Sequence, residues 1–156
     1  MIVLGIDPGT TRVGYGIIKK SPAPRLIDCG LLAIKSIDHN VRIQEAGRHL
    51  KKIIKKYSPD MLSIEKLFFV NNQKTGLQVA EMRGALIFIA LNNNIPVREY
   101  APTEVKKAVT GSGHADKRAV EKMVKLHILM PEYKLVDDVY DALAIGLIAI
   151  YDIKNR

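Results

Sequence analysis

Met1-Ile2-Val3-Leu4-Gly5-Ile6-Asp7-Pro8-Gly9 decides how this chain is read. Met1 to Ile6 is nearly all apolar and rich in β-branched residues, which predicts a buried strand that ends at Asp7. Pro8-Gly9-Thr10-Thr11 is a turn. Beyond it, Val13, Tyr15, Ile17 and Ile18 predict a second strand over Arg12 to Lys19, which Ser21-Pro22-Ala23-Pro24 breaks. Leu26 to Ile34 predicts a third. The short connections imply a three-strand antiparallel meander.

The period then changes. Ile43, Ala46, Leu50, Ile53, Ile54 and Tyr57 recur at helical spacing, and Arg42, Arg48, Lys51, Lys52, Lys55 and Lys56 take the opposite face. Met61 to Ile64 predicts a short buried strand that delivers Glu65 at its end. A helix from about Thr75 to Leu91 follows, stopped by Asn92-Asn93-Asn94, and then a strand at Val97 to Tyr100. Pro102 to Val109, Ala115 to Leu129 and Asp137 to Tyr151 predict three more helices, the first with proline near its start. Five strands, a meander first and helix–strand alternation after it, describe an α/β domain with a mixed sheet flanked by helices.

The chain's 156 residues fit one ordinary domain, residues 1–156. Its 24 Lys and Arg against 16 Asp and Glu leave a net charge of +8, which suits an anionic partner, nucleic acid being the commonest. A single cysteine, Cys29, excludes an internal disulfide and a multi-cysteine zinc site and fits a reducing cytoplasm. Asp7 arrives too early for a signal peptide. The longest apolar run, Ala142 to Tyr151, is far shorter than the roughly 20 residues that span a bilayer. The expectation is a soluble, cytoplasmic protein with no membrane partner.

Against this basic background, a few carboxylates stand in chemically suggestive places. Asp7 and Glu65 each close a buried strand, where ligand sites of α/β sheets gather. Asp138 and Asp141 share one face of a predicted helix, and Ala142 and Ile145 beside them aim that face at the core. Each has a plain structural alternative: Asp7 as a turn residue, Glu65 as a strand-edge charge, Asp137 and Asp138 as helix caps. Together they describe an acidic cluster that only a cation neutralises, as Mg²⁺ does. Paired metal ions suit in-line phosphodiester cleavage.

Gly111-Ser112-Gly113-His114-Ala115-Asp116-Lys117 matches neither the Walker A nor the dinucleotide fingerprint. It reads as a flexible connector or as a phosphate-contacting loop served by Lys106 and Lys117. Phe68 and Phe69 precede the amide-rich Val70-Asn71-Asn72-Gln73-Lys74, where an exposed aromatic can stack on an unpaired base; a core role is the plain alternative. His114 and His127 lack metal-ligand spacing.

In order along nearly the whole chain, these residues resemble the RuvC Holliday junction resolvases. The likeness is carried by Gly5-Ile6-Asp7-Pro8-Gly9, Thr11-Arg12-Val13-Gly14-Tyr15-Gly16, Pro59-Asp60, Ile64-Glu65, Phe68-Phe69, Asn72, Leu77 and Arg83-Gly84. It continues through Tyr100-Ala101-Pro102, Val105-Lys106, Gly111, Gly113, Ala115-Asp116-Lys117 and Asp138-x-x-Asp141-Ala142-Leu143-Ala144-Ile145. The resemblance implies an RNase H-like fold and a homodimer that nicks opposing strands of four-way junction DNA. It implies Asp7, Glu65, Asp138 and Asp141 as ligands of two Mg²⁺ ions per subunit, replaceable by Mn²⁺, and Lys106 and Lys117 as catalytic-site lysines. Phe68, Phe69, Asn72, Lys74, Arg83, Lys106 and Lys117 become the DNA contacts, the Thr75–Leu91 helix the dimer interface, and RuvA and RuvB the partners. Many members carry a basic residue at Asn71 and Gly-Gln at Ala80-Glu81, departures that touch the loop and helix beside the site.

Three rivals are open to test. An actin- or sugar-kinase-type ATPase also begins with a Gly-Ile-Asp strand, but needs two lobes. A noncatalytic junction-binding protein is expected to lack an acidic ligand. A related single-domain nuclease acting on RNA is set aside only by the resemblance.

Overall fold

The computed structural model describes residues 1–67, 73–129 and 135–152. Strands β1 (Ile2–Asp7), β2 (Gly14–Lys19) and β3 (Arg25–Leu31) form the meander, followed by α1 (His39–Tyr57), β4 (Met61–Glu65), α2 (Gln73–Asn92) and β5 (Val97–Tyr100). Helices α3 (Pro102–Thr110), α4 (Lys117–His127) and α5 (Asp137–Asp152) complete the chain. The sheet order is β3-β2-β1-β4-β5. β1 runs antiparallel to β2 and parallel to β4, so the expected mixed five-stranded sheet is what forms.

Period-two alternation sends each strand's side chains to two different cores. Leu4, Ile6, Tyr15, Ile17, Leu62 and Ile64 pack with α1 and α2 around Leu50, Ile53, Met82 and Leu86. Val3, Ile18 and Met61 face the other way, toward α3, α4 and α5. Beyond Asp141, helix α5 is apolar on every side, as a buried helix must be, and Ala142–Ile150 is buried throughout.

Small residues let α5 lie almost on the sheet. A Cβ on Gly5 would stand 2.1 Å from the Ala142 carbonyl oxygen, and one on Gly14 would stand 2.0 Å from that of Asp138. Ser63, fully buried, donates its hydroxyl to the Ile145 carbonyl at 2.6 Å, satisfying an otherwise costly polar group. Helix ends follow local chemistry. Asp38 caps α1 through the Val41 amide, and Asp116 caps α4 through the Ala119 amide at 2.8 Å.

Candidate metal centre

Strand phase aims the acids. Asp7 follows Val3 and Gly5 on β1, and Glu65 follows Met61 and Ser63 on β4, so both leave the sheet on the α5 face. The parallel register sets Ile6 opposite Ile64, which makes the two strand ends neighbours. Helix α5 begins at Asp137, and its Asp138 carbonyl lies over Gly14, the β2 partner of Asp7. The first turn of α5 therefore carries Asp138 and Asp141 to the same end of the sheet.

Electrostatics register the convergence. Asp7 is raised to about 7, most by burial and then by Asp141, Glu65 and Asp138, while Lys117 opposes them. Glu65 is raised by burial and by Asp141, against Lys106 and Lys117. Asp141 is raised by burial, opposed most by Lys117, with Asp137 and Asp138 adding to the rise. Lys117 Nζ lies 3.8 Å from Asp141 and 4.0 Å from Asp137, and Arg12 Nε lies 3.4 Å from Asp138 Oδ2.

The donors suit a hard divalent cation. All are carboxylate oxygens, the set that Mg²⁺ or Mn²⁺ takes. Asp138 Oδ2 is buried, and the Arg12 approach gives it no hydrogen bond. Among the described residues, no three acidic, imidazole or thiol groups already stand close enough to hold one ion together. The fit therefore rests on donor chemistry and on the crowding of like charge around Asp7.

Of the residues expected to touch DNA, Phe68, Phe69 and Asn72 lie outside the described residues, as does Asn71. Lys74 is exposed at the start of α2. Lys106 on α3 is half-buried beside the acids, and Lys117 opens α4. Arg83 is turned inward: its side chain is only 14% exposed, its Nε donates to the Glu65 carbonyl at 2.8 Å, and its Nη2 pairs with Glu99. Glu81, one of the departures from the family pattern, pairs with His39 of α1 at 2.6 Å.

The sequence reading missed several partners. Arg12 on Asp138 and Asp137 on Lys117 had no spacing signal. The Gly5, Gly14 and Gly16 set had one: glycines in strands mark close backbone approach, and Ala142 and Gly146 stand four apart on the helix they admit.

Comparison with known proteins identifies the family. The family model of the crossover junction endodeoxyribonuclease RuvC matches residues 3–149. A RuvC of Brachyspira hyodysenteriae is 44% identical over 149 residues, covering 94% of this chain and 92% of the relative. One of Desulforamulus reducens is 41% identical over 150 residues, covering 94% and 91%. The structure of Thermus thermophilus RuvC in complex with Holliday junction substrate superposes with a TM-score of 0.90 at 29% identity, covering 99% of this chain and 96% of that one. The fold is RNase H-like, and no described helix is long and apolar enough to cross a membrane. The acid-rimmed end of the sheet, the helix laid over it and the match along nearly the whole chain place this protein in the RuvC family of metal-dependent crossover junction endodeoxyribonucleases.

Proposed function

We propose that residues 1–156 act as one nuclease domain that resolves four-way DNA junctions by paired, symmetric nicks. In this reading Asp7, Glu65, Asp138 and Asp141 hold two Mg²⁺ ions per subunit, with Mn²⁺ able to substitute. The observation that carries it is the state of Asp7: a largely buried carboxyl, raised to about 7, with three more acids from distant parts of the chain acting on it. Burying like charges together costs more than an ordinary surface role ever repays, unless a cation offsets it. The substrate is carried over from the Thermus relative, whose structure contains a Holliday junction.

When bound, divalent cations would lower the pKa of an attacking water and stabilise the leaving oxygen. Asp7 stands between the two groups of donors, Glu65 on the β4 side and the Asp138–Asp141 pair on the helix. Lys117 and Lys106 already offset the acids; against a scissile phosphate their ammonium groups would offset the charge that develops in the transition state. Phe68, Phe69 and Asn72, which fall between β4 and α2 in the chain, and Lys74 at the start of α2 would meet DNA.

A homodimer suits a substrate with near-twofold symmetry, since one isologous contact places two sites on two strands. Helix α2 supports it: Leu77, Phe88 and Leu91 are 66%, 63% and 55% exposed, and Gly84 among them has open space above it. Leu77, Gly84 and Leu91 recur every seventh residue and form one stripe. RuvA and RuvB as partners, and the cytoplasm as the site of action, are part of the same proposal, and family membership supports them.

A synthetic four-way junction incubated with Mg²⁺ or with a chelator, read on a denaturing gel, tests this function. Wild-type protein is expected to give paired nicks with Mg²⁺ and none with the chelator, and Asp7→Asn to bind the junction without cutting it. Cutting in chelator, or normal cutting by Asp7→Asn, would overturn the assignment.

A further inference from the structure

Glu65 is the last residue of β4, and a strand's last residue is normally where the ladder frays. Here the peptide group that follows it is held on both sides. Its N–H, which belongs to Lys66, donates to the Tyr100 carbonyl of β5 at 2.8 Å. Its C=O, which belongs to Glu65, accepts from Arg83 Nε at 2.8 Å. The N–H and C=O point in opposite directions within that plane, so the two bonds together resist its rotation and help to hold the Glu65 Cα, from which the carboxylate projects, at the strand end.

The Arg83 side that does not hold Glu65 is engaged as well. Nη2 pairs with Glu99, which lies on β5 opposite Ile64, one residue before the Tyr100 that completes the clamp. A planar guanidinium with donors in a rigid fork can serve a carbonyl and a carboxylate at once; an ammonium on a flexible stem cannot do so with the same geometry. Arg83 sits on α2, so the clamp ties that helix to the strand end bearing the acid. The main charges acting on the Glu65 carboxylate are Asp141, Lys106 and Lys117. Arg83 thus reaches Glu65 through the backbone.

We propose that Arg83 is a positioning residue of the metal centre: through the Glu65 carbonyl and Glu99 it sets the direction from which the Glu65 carboxylate meets the cation. The inference rests on Glu65 being a metal-holding residue, as argued above. It replaces the role expected from sequence, in which Arg83 contacts DNA. The two roles differ in what they control. A phosphate contact governs affinity for DNA and its salt dependence. A group that orients a metal ligand governs metal affinity and the rate at saturating DNA, and its loss ordinarily costs about 10-fold to 100-fold there.

The experiment compares wild type, Arg83→Gln, Arg83→Lys, Glu99→Gln and Glu65→Gln on a synthetic four-way junction. Three quantities are read: junction affinity in chelator, single-turnover cleavage at saturating protein over a Mg²⁺ series, and the rise in melting midpoint on adding Mn²⁺ without DNA. Arg83→Gln is expected to bind the junction within about 2-fold of wild type, to need about 10-fold more Mg²⁺ for half-maximal cutting, and to lose most of the Mn²⁺-dependent rise. Lysine, with one compact donor group, is expected to rescue only part of this. Glu99→Gln removes an anchor of the guanidinium without touching the Glu65 carbonyl, so it is expected to shift the Mg²⁺ requirement the same way by about 2-fold to 3-fold; this arm keeps the test decisive should Arg83→Gln fold poorly. Weaker junction binding by Arg83→Gln with an unchanged Mg²⁺ requirement would overturn the proposal in favour of a DNA contact, and so would wild-type behaviour in both Arg83→Gln and Glu99→Gln. Normal cutting by Glu65→Gln would instead overturn the metal-site reading itself, which separates the two failures.

Discussion

The two faces of one sheet differ in kind. Toward α1 and α2, β1, β2 and β4 present Leu4, Ile6, Tyr15, Ile17, Leu62 and Ile64, bulky side chains in ordinary aliphatic packing. The polar knot near that side is fully partnered: Asp28 Oδ2 accepts from Tyr57 and, at 3.3 Å, from Tyr15. Toward α5 the same strands present Gly5, Gly14, Gly16 and Ser63, then end in Asp7 and Glu65. The α1–α2 face holds the fold by filling space. The α5 face gives up side-chain volume so that a helix start can be set down beside two strand ends, and it concentrates acids where burial makes their charge costly. Alternate positions of the same short strands thus serve two faces, one that only fills space and one that both packs α5 and delivers the acids.

The largest effect that would break this contrast belongs to the acids. Removing a ligand of a catalytic divalent cation forfeits several kcal/mol of transition-state stabilisation, about three powers of ten in rate. Asp7→Asn is therefore expected to reduce single-turnover junction cleavage by about 1,000-fold, while junction binding in chelator stays near wild type.

Packing substitutions on the two faces sharpen the comparison next. Leu62→Ala is expected to cost about 3 kcal/mol by leaving a cavity, measured by urea denaturation, with the Mg²⁺ half-saturation of the remaining folded protein unchanged. Gly5→Ala forces backbone apart, since its Cβ would stand 2.1 Å from the Ala142 oxygen. It is expected to cost about as much, roughly 3 kcal/mol, and also to raise the Mg²⁺ requirement, because α5 carries Asp138 and Asp141. Equal metal behaviour in the two variants would erase the distinction between the faces.

The pH dependence follows from Asp7. Its folded pKa, about 7, lies above the 3.8 of an ordinary aspartate. Between those values the native state keeps a proton that the unfolded chain releases, so the metal-free fold loses stability as pH rises from about 4 to 7, and no more beyond. Metal-free Asp7→Asn is expected to melt about 5 °C above wild type at pH 8, the gap closing toward pH 4. Wild-type Mg²⁺ affinity should fall about 10-fold per unit below pH 7, where a proton competes for Asp7.

A smaller effect is expected at Lys117, whose contacts to Asp141 and Asp137 are long and exposed. Lys117→Met should change thermal stability by less than about 1 kcal/mol while slowing cleavage about 100-fold.

Much of this was readable from residues. The β1 run ending at Asp7, the 3.6-residue period of α1 and the three closing helices fix the elements, because burial imposes period on sequence. The pairing of Asp7 and Glu65 was readable as two strand ends, but their common face was not, since phase requires knowing that β1 and β4 are parallel neighbours. Arg83 shows the limit best. The family resemblance implies a DNA contact for this arginine, and nothing in its spacing announces a carbonyl eighteen residues back. Side-chain to backbone bonds between distant elements leave no periodic trace.

Anomalous diffraction from crystals soaked in Mn²⁺ tests the central claim most directly. Mn²⁺ peaks are predicted among Asp7, Glu65, Asp138 and Asp141, with Asp7 touching bound metal. Peaks elsewhere, or none at a concentration that supports junction cleavage, would contradict it.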